Sequence, residues 1–153
     1  MNWLEHRIPP PIVLIAFGAV MWLVSRLDAA VAIEVLPRIA VASGWVATGV
    51  AFAMAGAGAF RRASTTINPV RPDQATSLVT GGVFRYTRNP MYLGLTAVLV
   101  GWAVFLASPW SFLGPVLFAL YINRLQIIPE ERILAAKFGA DYEAYRKKVR
   151  RWL

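Results

Sequence analysis

A chain of 153 residues that is 58% hydrophobic, with six tryptophans and ten prolines, is too apolar for an ordinary soluble domain and reads as an integral membrane protein. The absence of cysteine excludes disulfides, thiolate metal sites and a cysteine nucleophile, and a lone histidine, His6, argues against a histidine-based centre, so no metal is expected. The net charge of +8 does not point to nucleic acid, because the cations lie between apolar runs, where membrane flanks require them.

The first apolar run covers residues 11–27, behind Arg7 and Pro9-Pro10-Pro11. It suffices for a short span, and no small-x-small cleavage site follows it, so a signal peptide is not the expected reading. Residues 25–38 carry Arg26, Asp28, Glu34, Pro37 and Arg38 and are expected to form the first external loop, since such charges cannot lie unpaired in hydrocarbon. Residues 39–60 are uncharged and form the second expected span, in which Gly44, Gly49, Gly56 and Gly58 permit close helix contact. Ala55-Gly56-Ala57-Gly58-Ala59 lacks both the preceding strand and the spacing of a dinucleotide loop, and reads as packing.

Residues 61–88 hold five arginines, Pro69, Pro72 and Asp73, and predict a long loop at the membrane face; connections of this length are more often functional or disordered than plain. Within it, Thr76-Ser77-Leu78-Val79-Thr80-Gly81-Gly82 ends in paired glycines, which suit either a close approach of backbone to a ligand or a flexible hinge. The loop gives way abruptly to Phe84-Arg85-Tyr86-Thr87-Arg88-Asn89-Pro90-Met91-Tyr92-Leu93-Gly94. Pro90 suits the first turn of a helix and Asn89 a cap, and a helix start behind two arginines is a candidate anion site. The plainer alternative makes the arginines topology anchors and Tyr92 an interfacial aromatic.

From Asn89 to Asn123 there is no charge, and Ser108-Pro109-Trp110 near the middle predicts a helical hairpin with spans at about residues 90–107 and 110–124. Beyond Arg124, Pro129-Glu130-Glu131 opens a further helix whose stripe of Leu134, Phe138, Tyr142 and Tyr145 is amphipathic, with a break near Gly139. Fourteen of the sixteen cations lie in the N-terminus, middle loop and tail and two in the first loop, which predicts four spans with both termini cytoplasmic. The expected fold is therefore all-α: a single membrane domain over residues 1–153, about four transmembrane helices with a cytoplasmic C-terminal amphipathic helix.

This topology gathers Arg85, Arg88, Tyr92, Glu130 and Glu131 on one face. Acids directly after Pro129 suit the first turn of a helix, where the dipole favours them. Equally, two acids opposite two arginines at an apolar boundary make the kind of polar pocket that serves amphiphilic substrates.

Gly82-Val83-Phe84, Arg88-Asn89-Pro90-Met91-Tyr92-Leu93-Gly94, the hairpin, Glu130-Glu131 and Phe138-Gly139-x-x-Tyr142-x-x-Tyr145 together resemble the isoprenylcysteine carboxyl methyltransferase family and its phospholipid methyltransferase relatives, over about residues 76–148. The resemblance implies a membrane methyltransferase that binds S-adenosyl-L-methionine without a Rossmann domain and takes a lipid-like or small apolar acceptor from the bilayer. It implies cofactor contacts at Thr76, Ser77, Leu78, Val79, Phe84, Asn89, Pro90, Met91 and Tyr92, a catalytic role for Arg88 and Glu130, and substrate contact at Glu130 and Gln126. Two departures bear on the acceptor. The family's Arg-His-Pro-x-Tyr reads Arg88-Asn89-Pro90-Met91-Tyr92, which replaces an imidazole by an amide that cannot take a proton. One turn before Glu130, where eukaryotic carboxyl methyltransferases have arginine, stands Gln126, so that Arg124 would have to reach round to hold a carboxylate. Two alternatives are an NADPH-dependent reductase similar to sterol reductases, for which the chain is short, and a non-catalytic adaptor, which would tolerate Glu130→Ala.

Overall fold

The computed structural model describes residues 8–27, 31–64 and 76–153, which form helices and turns with no strand among them. The first helix, α1 (Pro10–Ser25), begins with prolines, whose missing N–H groups have no partner to lose in a first turn. Helix α2 (Val35–Arg62) starts earlier than the sequence suggests, taking Pro37 and Arg38 into its first turn and not into a loop. Proline is tolerated there, and the Arg38 guanidinium finds a partner 5.7 Å above the Phe105 ring. Arg61 and Arg62 form the last turn of α2, where cations complement the dipole. Of the expected loops, residues 28–30 and 65–75, with Asp28, Pro69, Pro72 and Asp73, lie outside the described residues, as do Arg7 and His6.

Helix α3 (Pro90–Leu106) ends on Ala107 in the left-handed conformation, and Ser108 with a 3₁₀ turn (Pro109–Phe112) reverses the chain into α4 (Leu113–Ile122), giving the expected hairpin. Helix α4 does not stop. A π turn (Asn123–Ile127) joins it to α5 (Ile128–Lys148). Pro129 inside a continuous helix would lose one backbone bond and press on the carbonyl four residues back, and the wider turn just ahead of it makes room. Glu130 and Glu131 thus do not sit at a free helix start, and the dipole does not explain them.

Small residues one heptad apart on α2, Ala42, Gly49 and Gly56, are buried against α3. Gly49 abuts Gly94, Ala42 abuts Gly101, and Gly56 lies under Pro90 and Met91. The large residues of α2, including Leu36, Trp45, Val50 and Met54, face outward. Small inside and large apolar outside inverts the soluble pattern and suits helices that pack by close approach with lipid around them. Two helical stretches, Val35–Arg62 and the continuous run Pro109–Lys148, are long and apolar enough to cross a membrane, whereas α1 and α3 are shorter, at 16 and 17 residues.

On the other side of α3, α1 and α4 close a core of Val13, Met21, Leu99, Ala103, Phe118 and Ile122. Phe17 sets its edge on Phe118 with centroids 5.6 Å apart, and the Trp102 indole donates to the Gly18 carbonyl at 3.0 Å. The tightest approach yields a prediction. A side chain at Gly94 would enter the Gly49 carbonyl and lie 3.0 Å from the Ala53 nitrogen, so Gly94→Val is expected to cost about 1–3 kcal/mol or more and to lower the melting temperature in detergent. Gly44→Val, with no atom within 4 Å of the added Cβ, is the control expected to melt close to the parent.

Candidate active site

Three segments meet at the end of the bundle where the apolar part of the Pro109–Lys148 helix gives out: the stretch before α3, the first turns of α5, and the C-terminal tail. Tyr92, in the first turn of α3, donates its hydroxyl to Glu130 Oε2 at 3.1 Å. Arg88 does not meet Glu130. Its Nη1 pairs instead with Glu131 Oε1 at 3.1 Å and donates to the Tyr142 hydroxyl at 3.4 Å, while its Nε is buried without a partner. The Arg88 and Glu131 side chains are only 10% and 11% exposed, so this ion pair belongs to the interior and not to a solvated rim.

Glu130 and Glu131 have separate partners for a geometric reason. Successive residues on a helix point about 100° apart, so two adjacent acids cannot serve one partner. Burial pushes the Glu130 carboxyl up to about 7, with Glu131 adding to the rise and the Tyr92 hydrogen bond opposing it. The Tyr142 phenol is pushed up to about 12, chiefly by burial, and Tyr145 is raised for the same reason, so both keep their protons at neutral pH.

The aromatic stripe of α5 reaches this place through a bend. Gly139 adopts φ 50° and ψ −122°, and the second half of the helix turns back so that Tyr142 and Tyr145 are 2% and 8% exposed beside Phe84. The Tyr145 hydroxyl donates to the Phe84 carbonyl at 2.7 Å. A side chain is strained in that conformation whatever the space around it. Gly139→Ala is therefore expected to cost about 1–3 kcal/mol and to loosen Tyr142 from Arg88, measured as a lower melting temperature together with faster proteolysis within α5.

Eight of the nine residues expected at the cofactor fall into three groups. Thr76 and Ser77 tie their segment to the end of α2, donating to the Ser64 and Ala63 carbonyls at 3.4 and 3.2 Å, which would otherwise lack helical partners. Leu78, Val79 and Phe84 join the aromatic cluster with Tyr142 and Tyr145. Leu78 and Val79, with Thr80, Gly81 and Gly82, also line an open groove of about 350 Å³ bounded on its other side by Ala59, Arg62 and Ala63 of α2; Arg88, Tyr92, Glu130 and Glu131 are not among its lining. Gly82 has φ +61°, and a Cβ on Gly81 would point into open space, so backbone itself forms that wall. Pro90 and Met91 pack on Gly56, and Tyr92 turns to Glu130.

Asn89, expected as a cap, makes no capping bond: its Nδ2 donates to the Arg151 carbonyl at 2.9 Å. Gln126, expected at the substrate, is 1% exposed and donates to the Ile8 carbonyl at 2.9 Å, its own Oε1 buried without a partner. Arg124 is exposed and does not reach round. A second guanidinium does reach this face, but from the tail. Arg151 grips Glu131 through Nε and Nη2 at 3.1 and 2.7 Å and donates from Nη1 to Asn123 Oδ1 at 3.1 Å. The sequence offered one clue to it, an apolar Trp152-Leu153 end on a basic tail, and Trp152 indeed packs against the cluster holding Tyr92.

The family model of the phospholipid methyltransferases matches residues 37–141, more than half of the chain. The chain belongs to the phospholipid methyltransferase family. It is 46% identical over 63 residues, 41% of this chain and 100% of the other, to an uncharacterized protein of Haemophilus influenzae. It is 37% identical over 75 residues to the protein-S-isoprenylcysteine O-methyltransferase of Schizosaccharomyces pombe, covering 47% of this chain and 30% of that one. A probable protein-S-isoprenylcysteine O-methyltransferase of Oryza sativa subsp. indica is 35% identical over 91 residues, 58% of this chain and 46% of its own. The chain thus spans less than half the length of the named methyltransferases it matches. No solved structure matches it. The resemblance carried by Arg88 to Gly94 and Glu130-Glu131 is confirmed at the level of the family.

Proposed function

We propose that the chain is an S-adenosylmethionine-dependent methyltransferase acting at the cytoplasmic membrane face on a lipid-like or small apolar acceptor. The observation that carries this reading is the meeting of the Tyr92–Glu130 and Arg88–Glu131 pairs at the boundary between apolar helix and polar tail, in a chain of a methyltransferase family. The names of its relatives support the reaction class.

The residues suit the cofactor. An open groove of about 350 Å³ offers a glycine wall that lets backbone approach, Arg62 as a cation for a carboxylate, and Leu78 and Val79 as apolar surface, while Asn89, Pro90, Met91 and Tyr92 lie outside its lining. When bound, S-adenosylmethionine supplies a methyl group on a sulfonium sulfur. The protein's share is alignment, exclusion of water and the handling of one proton. Ionised Glu130 takes the proton from an acceptor that must lose one, and Tyr92 fixes the carboxylate's direction. Arg88 orients the acceptor through its planar fork, itself held by Glu131 and Tyr142. Strong Lewis acids are not needed for an in-line displacement from sulfonium.

Calorimetric titration of the detergent-purified chain with S-adenosylhomocysteine and, separately, with NADPH tests the reading: the first should bind and the second should not. Binding of NADPH alone would replace the methyltransferase by a reductase. Four spans with both termini cytoplasmic complete the proposal, supported by the fourteen-to-two distribution of cations, and reporter fusions at each terminus should report the cytoplasm.

A further inference from the structure

We propose that Arg151 is a positioning residue for Arg88, and that the terminal residues 149–153 form a strap that latches the site. Residues 150–153 lie beyond α5 and its C-cap, Val149, where main chain has no helical partners of its own. Here the main chain is held at three points: the Arg88 amide donates to the Arg150 carbonyl at 3.0 Å, and Thr87 Oγ1 and Asn89 Nδ2 both donate to the Arg151 carbonyl, at 3.2 and 2.9 Å. The Arg151 side chain returns across the same gap to Glu131 and Asn123. One residue therefore ties the start of α3 to the π turn and the adjoining α5, which lie far from it in sequence.

The consequence lies in how Glu131 is shared. Alone with Arg88, a carboxylate would take the guanidinium in a two-pronged pair and fix it flat against itself. Arg151 takes Oε2 outright and shares Oε1, so Arg88 is left with one contact to Glu131, from Nη1, and keeps a buried Nε unpartnered. Two guanidinium groups on one carboxylate also leave a net positive charge on that cluster. Arg151 thus sets both the direction of Arg88 and the amount of its charge that Glu131 does not cancel. The kinetic part of this inference rests on the methyltransferase reading; the geometric part does not.

The test uses the whole chain in detergent, as wild type, Arg151→Ala, Arg151→Lys and Asn123→Ala. The Nε–H resonance of Arg88, assigned by its loss in Arg88→Lys, should be sharp in the wild type and should shift or broaden in Arg151→Ala. Lysine, which lacks the fork, should not restore it, and Asn123→Ala should move it less. An Arg88 signal unmoved in folded Arg151→Ala or Arg151→Lys overturns the proposal, whatever happens to stability. Where Arg151→Ala does not fold, Arg151→Lys and Asn123→Ala carry the same comparison.

With radiolabelled cofactor and an accepted acceptor, tried among short prenylated thiols, fatty acids and phosphatidylethanolamine, Arg151→Lys should lower kcat roughly tenfold while S-adenosylhomocysteine affinity changes less than about threefold. A parental kcat in Arg151→Lys, or a loss of S-adenosylhomocysteine affinity as large as the loss of kcat, refutes the positioning role. A wild type that neither binds S-adenosylhomocysteine nor transfers methyl refutes the methyltransferase reading, and the Arg88 resonance then decides the strap by itself.

Discussion

Glu130→Gln is expected to lower turnover roughly a hundredfold or more while leaving S-adenosylhomocysteine affinity within a few fold, the pattern of a group felt chiefly in the transition state. The amide keeps the size of the side chain and an oxygen for the Tyr92 hydroxyl, but it cannot take a proton. A carboxyl held at about 7 is protonated below that pH and ionised above it, so the parental rate should climb through about pH 7 and level off, and the climb should vanish in the variant. The stability term has the opposite sign. Because the folded pKa lies above the ordinary carboxylate value of 4.5, the unfolded chain gives up this proton first as pH rises. Folding is then opposed by up to roughly 3 kcal/mol above pH 7, a cost absent below pH 4. Removing the ionisable group removes that cost. Glu130→Gln should therefore melt no lower than the parent at pH 8 while being nearly inactive. Parallel losses of melting temperature, affinity and turnover would make Glu130 a structural acid, and turnover at the parental rate would end its catalytic assignment.

Arg88→Ala should cost both stability and rate, and Arg88→Lys should recover the stability better than the rate. Removing one partner of an interior ion pair ordinarily costs about 3–5 kcal/mol, because the other charge is left buried alone. Glu131 is not left alone here, since Arg151 still holds both of its oxygens, so the loss should fall nearer 1–2 kcal/mol. Lysine restores the charge beside Glu131, but a single ammonium cannot meet Glu131 and the Tyr142 hydroxyl and still offer a planar edge to an acceptor. We expect Arg88→Lys to melt near the parent and to turn over at least about tenfold more slowly, compared by differential scanning fluorimetry and radiolabelled methyl transfer. Full activity in Arg88→Lys would show that only the charge matters, and the orienting role would be withdrawn.

The helical content, the helix start at Pro90, the hairpin around Ser108-Pro109-Trp110 and the break at Gly139 were all legible in the sequence, because each is a local event. Proline fixes its own φ, glycine permits its own, and a charge-free run declares itself without reference to the rest of the chain. The gathering of Arg88, Tyr92, Glu130 and Glu131 was legible too, since charges excluded from hydrocarbon must gather at its edge, but Arg85, expected among them, is exposed.

Which acid meets which partner was decided by the tertiary structure alone. That pairing depends on the rotation and depth of three helices, set by Gly49 against Gly94, by Ala42 against Gly101, and by a π turn whose extra width shifts the face that every later residue of α5 presents. No local pattern encodes a rotation between elements. For the same reason Asn89 serves the tail and not its own helix, Gln126 serves α1, and Arg151, which in sequence is one of several terminal cations, becomes a ligand of Glu131. The sequence by itself determined that a membrane helical bundle of this family would carry a polar site at one end. Only the packing of small residues between helices decided which side chains that site contains.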